Sequence, residues 1–298
     1  MILKKVVYYY ILAAGAVFTI GLLAGGTGGV NDEKLPQTIR AVSLNQDFSF
    51  AGEKVPMDNF DVRERLEREL LVSTYQHAST LLSLKKAARY FPYFEKVFKE
   101  KGIPLDFKYM AVAESNLNNV VSSAGAKGIW QFMESAASYY GLEVNAEVDE
   151  RYHPEKATGA AAQFILDHHR RFSSWTLAAA AYNMGGTRIG KELTTQGSNN
   201  YYDLQINEET SRYVFRLLAY KAIFENPETF GYYLEKEEHY PPLDRFKLVE
   251  VNTAIPDLAK FAREQGTTYR MLKLYNPWLI STRLSNPEKK TYSIKIPA

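Results

Sequence analysis

From Asp58 to about residue 235 the apolar residues recur three and four positions apart, the spacing that lines one face of an α-helix. Val62, Leu66 and Leu70 stand four apart in DVRERLERELL, where charges fill most other positions, so this helix has one face on a core. The Lys and Arg interleaved with Glu at 63–68 read as its solvated face. Pro92 follows Tyr90-Phe91 and is expected to open a helix that Gly102 ends, and Pro104 starts the next. Ala157, Ala160, Ala161, Phe164, Ile165 and His168 define a further amphipathic helix. TLAAAAY (176–182) is apolar nearly all round and requires close neighbours. Asn207 is placed to cap a helix with Glu208 and Glu209 in its first turn and Val214, Leu217 and Leu218 facing inward. A mainly α body over 58–235 is the expectation.

The tail has a different period. HYPPLD lies in a linker, 236–244, because consecutive prolines resist helix and sheet. Phe246–Val251 reads as a strand, IPDLAKFARE and TYRMLKLY as short helices, and TYSIKIP as an alternating strand. The resulting β-α-α-β module covers 245–298. At the other end, Lys4 and Lys5 precede an uncharged, mostly apolar run from Val6 to Ala24. Residues 1–26 therefore read as a signal-anchor or a signal peptide, and either exports the rest of the chain. Residues 27–57 begin Gly-rich and turn polar, as a tether does, with room for one short ordered piece.

Composition excludes several classes. The absence of cysteine removes disulfides, thiolate metal sites, a cysteine nucleophile and an acylated lipobox. A net charge of +2 with 23% charged residues leaves no electrostatic footprint for nucleic acid. His168 and His169 are adjacent and face apart on a helix, so they are poor joint metal ligands, and no metal or cofactor is expected.

The most informative stretch is AVAESNLNNVVSSAGAKGIWQFM (111–133). Phe107, Met110, Ala111 and Leu117 share a helical face with Glu114. A carboxylate there is either paired with a Lys or Arg, or kept neutral by burial with its pKa raised, ready to donate a proton. Gly125 and Gly128 then allow a tight loop, and Trp130, Gln131 and Phe132 offer aromatic faces and an amide of the kind that binds sugars. In AYNMGGTRI (181–189), Tyr182 and Asn183 bring a phenol and an amide to a helix end, suited to an N-acetyl group or a hydroxyl. A plain glycine C-cap explains the same residues. NEETSRYVFRLLA (207–219) reads first as a capped core helix. Ser115 has no His partner for nucleophilic catalysis. Asp149 and Glu150 are the candidates for a second carboxylate, although nothing in the spacing sets them opposite Glu114.

Glu114-Ser115, GAKGIWQFM, AYNMGG and ETSRY (209–213), in this order, resemble the lytic transglycosylases, peptidoglycan-cleaving relatives of goose-type lysozyme. The resemblance covers about 100–225, and LKKAARYFPYFEKVFKEKGIPLDFKYMAVAES looks most like the membrane-bound type D branch. NPWL and the terminal KIP resemble a LysM module, a peptidoglycan-binding unit. NTAIPDL stands where Gly-Asp-Thr is usual, so the module is degenerate and its sugar binding is in question.

The resemblance implies a lysozyme-like helical fold, glycan strands as substrate, and a periplasmic or envelope location with the N-terminal segment at the membrane. It makes Glu114 the sole acid and base. Glu114 would protonate the oxygen between N-acetylmuramic acid and N-acetylglucosamine, then accept the proton of the muramoyl 6-hydroxyl, giving a 1,6-anhydro end. A hydrolytic muramidase and a non-catalytic peptidoglycan-binding scaffold are the alternatives. By position in the motifs, Ser123 would contact the acetamido group, Gln131 the glycan, and Tyr182 and Asn183 the cationic intermediate. Ser115, Gly128, Met133, Glu209 and Tyr213 would support them. Two positions depart from the family: Met184 replaces a small residue, and His153 stands where Asp is common.

Overall fold

The computed structural model describes residues 40–297, so the N-terminal segment read as 1–26 lies outside the described residues. A short hairpin, β1 (Ser49–Phe50) with β2 (Glu53–Lys54), precedes eight helices. These are α1 (Phe60–Tyr75), α2 (His77–Lys101), α3 (Lys108–Ser115), α4 (Glu134–Tyr139), α5 (Pro154–Phe172), α6 (Trp175–Met184), α7 (Gly186–Gln196) and α8 (Glu208–Glu225). A small module follows: β3 (Phe246–Val251), α9 (Leu258–Glu264), α10 (Tyr269–Tyr275) and β4 (Tyr292–Pro297). Among the described residues no helix is long and apolar enough to cross a membrane.

Three helix starts of the body carry side-chain caps. Asn59, Ser174 and Asn207 accept from backbone N–H groups of α1, α6 and α8, satisfying donors that a helix N-terminus leaves open. Pro92 does not open a helix; it lies inside α2. Proline forfeits one backbone hydrogen bond there. The helix continues because Leu84 and Ala87 before it, and Phe94, Val97 and Phe98 after it, are all buried on one side. Helix α3 is reached through a 3-10 turn, Leu105–Phe107, and ends at Asn116 and Leu117, both with positive φ.

Within the segment read as a tether with room for one short ordered piece, residues 48–57 are ordered and packed on the body. Phe48, Phe50 and Val55 are buried in the main core, and Phe50 meets Phe107 edge to face at 5.1 Å. Glu53 accepts from the backbone N–H of Trp175 (2.6 Å) and Thr176 (2.9 Å) and from Ser174 Oγ (2.9 Å). The hairpin therefore supplies a carboxylate to the positive start of α6. Lys221 of α8 binds both the Ser49 carbonyl and Asp106. Periodicity misses the segment because so few residues have no period.

Helix α8 is the axis of the body and packs against α1, α3 and α6, while α5 and α7 pack on α6. Its Val214, Phe215, Leu217 and Leu218 are buried. The charged face of α1 is less solvated than its sequence suggests. Arg65 donates to the Tyr202 carbonyl (2.8 Å) and covers the Phe215 ring, and Glu69 is buried against Arg212 (2.6 Å) and Arg216 (3.5 Å).

In the C-terminal module β3 and β4 pair antiparallel, from Phe246 opposite Pro297 to Val251 opposite Tyr292. The 143–155 segment of the helical body adheres to it. Val148 is part of the module's own apolar core, and Asp149 N–H and Ile280 N–H exchange hydrogen bonds with the Trp278 and Glu147 carbonyls. His153 stacks on Trp278 at 5.7 Å, and Glu155 pairs with Lys295. The 236–244 stretch expected as a linker is pinned to α2. Tyr240 N–H donates to the Lys85 carbonyl, and Arg89 donates to the Pro241 carbonyl.

Gly128 sits where this contact meets the loop after α3. Its φ is +83°, and a Cβ there would lie 1.9 Å from the Arg151 carbonyl oxygen. Gly128→Ala is expected to destabilise the fold by about 2–4 kcal/mol and lower the melting midpoint by roughly 5–15 °C. Gly125→Ala, with φ +85° but nothing within 4 Å, carries only the backbone strain. Circular dichroism melts of the two variants separate the contributions; equal midpoints would show that the Arg151 contact is not what constrains Gly128.

Candidate active site

Glu114 lies on the last turn of α3, one residue from its end. Its Oε1 accepts a 2.6 Å hydrogen bond from the Tyr213 hydroxyl of α8. Burial pushes the Glu114 carboxyl up to about 7, and Glu209 adds in the same direction. The Tyr213 hydrogen bond and the nearby Arg216 guanidinium oppose the rise without cancelling it. The Tyr213 and Tyr182 phenols are held well above their ordinary value, first by burial and then by Glu114 itself, so both remain donors. A carboxyl that changes state near neutrality, faced by phenols that do not, suits general acid–base work.

The end of α6 closes the other side. Tyr182 donates to the Trp130 carbonyl at 2.8 Å. Asn183 donates to Glu209 at 3.2 Å and accepts from Thr210 Oγ1 at 2.8 Å. Glu209, Thr210 and Tyr213 thus act from one α8 face on Asn183 and Glu114. The stretch read first as a capped core helix is both core and site.

The loop from 119 to 132 is the third wall, closed on itself by backbone hydrogen bonds and by the Ser122 and Gln131 side chains. The Ser115 hydroxyl lies 2.8 Å from the Ile129 carbonyl and 3.0 Å from that of Ala111, fastening the loop to α3. Gln131, at φ 51°, donates from Nε2 to the Gly128 (2.7 Å) and Val120 (3.1 Å) carbonyls. With both amide hydrogens engaged, Gln131 presents only its oxygen to a ligand. Trp130 and Phe132 are not sugar platforms. Trp130 is fully buried against Phe94 and Phe98 with its indole N–H on Thr158, and Phe132 packs on Phe164 and Tyr182. Helix α3 and the loop need a floor beneath them, and these rings are it.

Ser123 is exposed on the turn between Ser122 and Ala126, and among the described residues no hydrogen bond joins it to the rest. Met133, 47% exposed, stands just before α4, whereas Met184 packs on the main core. Asp149 and Glu150 are both buried and committed elsewhere. Asp149 takes a bidentate contact from Arg151 (2.8 and 2.7 Å) with Lys127 at 3.3 Å; Glu150 binds Glu143 N–H and Lys156. His168 packs on Phe164 while His169 stacks on Trp175, so the adjacent imidazoles do part. Sequence reasoning misses Arg216, Glu69 and Thr210. The spacing of Arg212 and Arg216, four apart on one helix face, is a visible signal, but its buried partner Glu69 lies on another helix.

A raised carboxyl at a helix end, bonded to a phenol of a second helix and flanked by an amide of a third and by the Glu209 carboxylate, lies in a mainly helical body. Comparison with known proteins makes the class particular: residues 92–205 match the transglycosylase SLT domain, and residues 247–298 match the soluble lytic transglycosylase C-terminal LysM-like domain. The chain carries both domains in that order. Membrane-bound lytic murein transglycosylase D of Escherichia coli (strain K12) is 28% identical over 238 residues, 77% of this chain and 51% of that protein. The chain thus spans about half the length of the curated relative it matches. Among solved structures, the 70 kDa soluble lytic transglycosylase from Escherichia coli aligns with a TM-score of 0.42 at 21% identity, covering 60% of this chain and 32% of that one. An inactive variant of the lytic transglycosylase Slt from Pseudomonas aeruginosa aligns with a TM-score of 0.37 at 17% identity, covering 60% and 35%.

The Glu114 environment has a stability consequence. Its folded pKa, about 7, exceeds the ordinary 4.5, so its favourable contribution is complete below the unfolded value and is lost as pH rises through 7. Glu114→Gln removes that loss. Its melting midpoint is expected to exceed that of the parent by several degrees at pH 8.5 and by much less at pH 5. A difference independent of pH would mean that burial does not raise this carboxyl.

Proposed function

We propose that this chain cleaves peptidoglycan glycan strands by lytic transglycosylation at the β-1,4 link between N-acetylmuramic acid and N-acetylglucosamine. Glu114 is the one acid and base. The observation that carries the reading is its carboxyl, raised to about 7 and hydrogen-bonded to Tyr213, while Asp149 and Glu150 are consumed by ion pairs. A retaining glycosidase uses two carboxyls about 5 Å apart. Glu209, the other carboxyl acting on Glu114, is held by Asn183, so in this reading the nucleophile comes from the sugar itself.

The proton account closes. Glu114 gives its proton to the bridging oxygen as the C1–O bond breaks, and the leaving sugar departs as an alcohol. Positive charge develops at C1 beside the Tyr182 and Asn183 oxygens and the new carboxylate. Glu114 then takes the C6 hydroxyl proton as O6 bonds to C1, closing the 1,6-anhydro ring and returning the acid to its starting state. No water is consumed. The intramolecular attack has a high effective molarity, which supports dispensing with a second carboxylate. Gln131 and Ser123 bind glycan in this reading, and Asn183 is oriented by Glu209 and Thr210. The apolar run from Val6 to Ala24 favours action outside the cytoplasmic membrane, where the substrate lies.

Mass spectrometry of purified peptidoglycan digested by the full chain tests this. The expected muropeptides are one water lighter than hydrolysis products, and Glu114→Gln lowers their rate by at least about 10²-fold. Hydrated reducing ends would instead make the protein a muramidase, and bound glycan with no products a scaffold. The pH profile is a second check. Activity is expected to fall as pH rises through about 7, because the acid must be protonated. Tyr213→Phe deletes a bond that favours the carboxylate, so it shifts that limb upward, by roughly half to one pH unit. An unmoved or lowered limb contradicts the role given to Tyr213.

A further inference from the structure

A cavity of about 530 Å³ opens between α2, the pinned 240–244 segment and the C-terminal module. That is the size of a small-ligand pocket. Tyr90, Tyr93, Tyr240, Phe246 and Tyr275 form much of its wall. Leu117 and Asn118, which follow directly after α3, form part of another side, whereas Glu114, Tyr182 and Asn183 do not line it. On the module it uses Phe246 at the start of β3, the end of α10 and Lys295 of β4.

Charge distinguishes this cavity. Lys86, Arg89, Lys273 and Lys295 line it against Glu155 and Asp244. Lys295 and Glu155 pair with each other. Among the described residues none of the other three cations has a carboxylate partner. Lys86 donates to Asn118 Oδ1 (2.6 Å), Arg89 to the Pro241 carbonyl (3.0 Å), and Lys273 to the Leu279 and Ser281 carbonyls. Burial holds Lys86 and Lys273 below the ordinary lysine value, and Arg89 adds to the effect at Lys86. An excess of positive charge on neutral partners, set among aromatic rings, is complementary to an anion with an apolar or ring face.

We propose that this cavity binds a carboxylate-bearing, peptide-substituted part of the peptidoglycan strand, at a site whose lining excludes Glu114, Tyr182 and Asn183. The identity of the ligand rests on the function proposed above. In peptidoglycan the N-acetylglucosamine units are neutral, and on peptide-substituted muramic acid the lactyl carboxyl is an amide, so the carboxylates belong to the peptide. The cavity therefore reads the peptide carboxylates of the strand, and its place beyond the end of α3 puts that recognition close to Glu114 in the chain.

Isothermal titration calorimetry with the full chain carrying Glu114→Gln, which halts turnover, tests the site with two probes: a soluble disaccharide–tetrapeptide and neutral chitotetraose. The disaccharide–tetrapeptide is expected to bind more weakly as salt rises. Adding Arg89→Glu is expected to weaken it at least tenfold and leave chitotetraose unchanged. Arg89 also holds Pro241, so Leu274→Trp serves as the second variant. Leu274 lines the cavity, is 49% exposed, and can carry a bulky ring into it without altering a charge. Tenfold weakening by Leu274→Trp with chitotetraose unaffected supports the site even where Arg89→Glu does not fold. Disaccharide–tetrapeptide affinity within twofold of the parent in Leu274→Trp overturns it, as does equal loss of both probes. The two proposals fail separately: anhydro products with an unaltered titration remove only this site, and selective binding without anhydro products removes only the reaction.

Discussion

The hydrogen bond from Tyr213 to Glu114 spans 99 positions of sequence and joins the two helices on which the site depends. Helix α3 is only eight residues long and ends in two residues of positive φ, so by itself it holds nothing in place. It is positioned because α8 runs along it, and α8 is fixed in turn by α1 and α6. Glu69 of α1, buried between Arg212 and Arg216, sets the guanidinium that acts on Glu114. A carboxyl kept near 7 is a balance between burial, which raises it, and a phenol and a cation, which lower it. Small displacements of α8 would alter all three.

A second line of support runs from the C-terminal module to the same carboxyl. Trp278 receives the Asp149 N–H and stacks on His153; Asp149 grips Arg151; and the Arg151 carbonyl leaves Gly128 no room for a side chain. From Gly128 the loop continues to Ile129 and Trp130, whose carbonyls meet Ser115 and Tyr182. The module is thus in contact, through packed backbone, with the wall facing Glu114. His153, one of the two departures from the family pattern, belongs to this chain of contacts through its ring stacking on Trp278.

Much of this was legible in the chain itself. Helical periodicity depends on neighbours three and four apart, so α1, α5, α6 and α8 and the β-α-α-β order of the module were readable from local pattern. Glu114 was conspicuous because a carboxylate on an apolar stripe is costly. Other features were not readable. Pro92 carries the local mark of a helix start, and only packing on both sides of it makes one helix of α2. The hairpin at 48–57 is too short to have a period, and its burial comes from Phe107 and the start of α6. Trp130 and Phe132 look like sugar platforms in a linear motif, yet they are the floor of the loop.

The sequence by itself determined the helical body, the small mixed module after it, and the residue types that meet at the site: two carboxyls, two phenols and an amide. Those follow from local spacing and side-chain chemistry, which a linear chain displays. Only the tertiary structure decided that Tyr213 faces Glu114, that Gln131 spends its amide hydrogens on its own loop, and that Asp149 and Glu150 serve ion pairs. Burial and electrostatics act through space over a few ångströms, between residues that the sequence sets tens of positions apart, so proton affinity is a property of the fold.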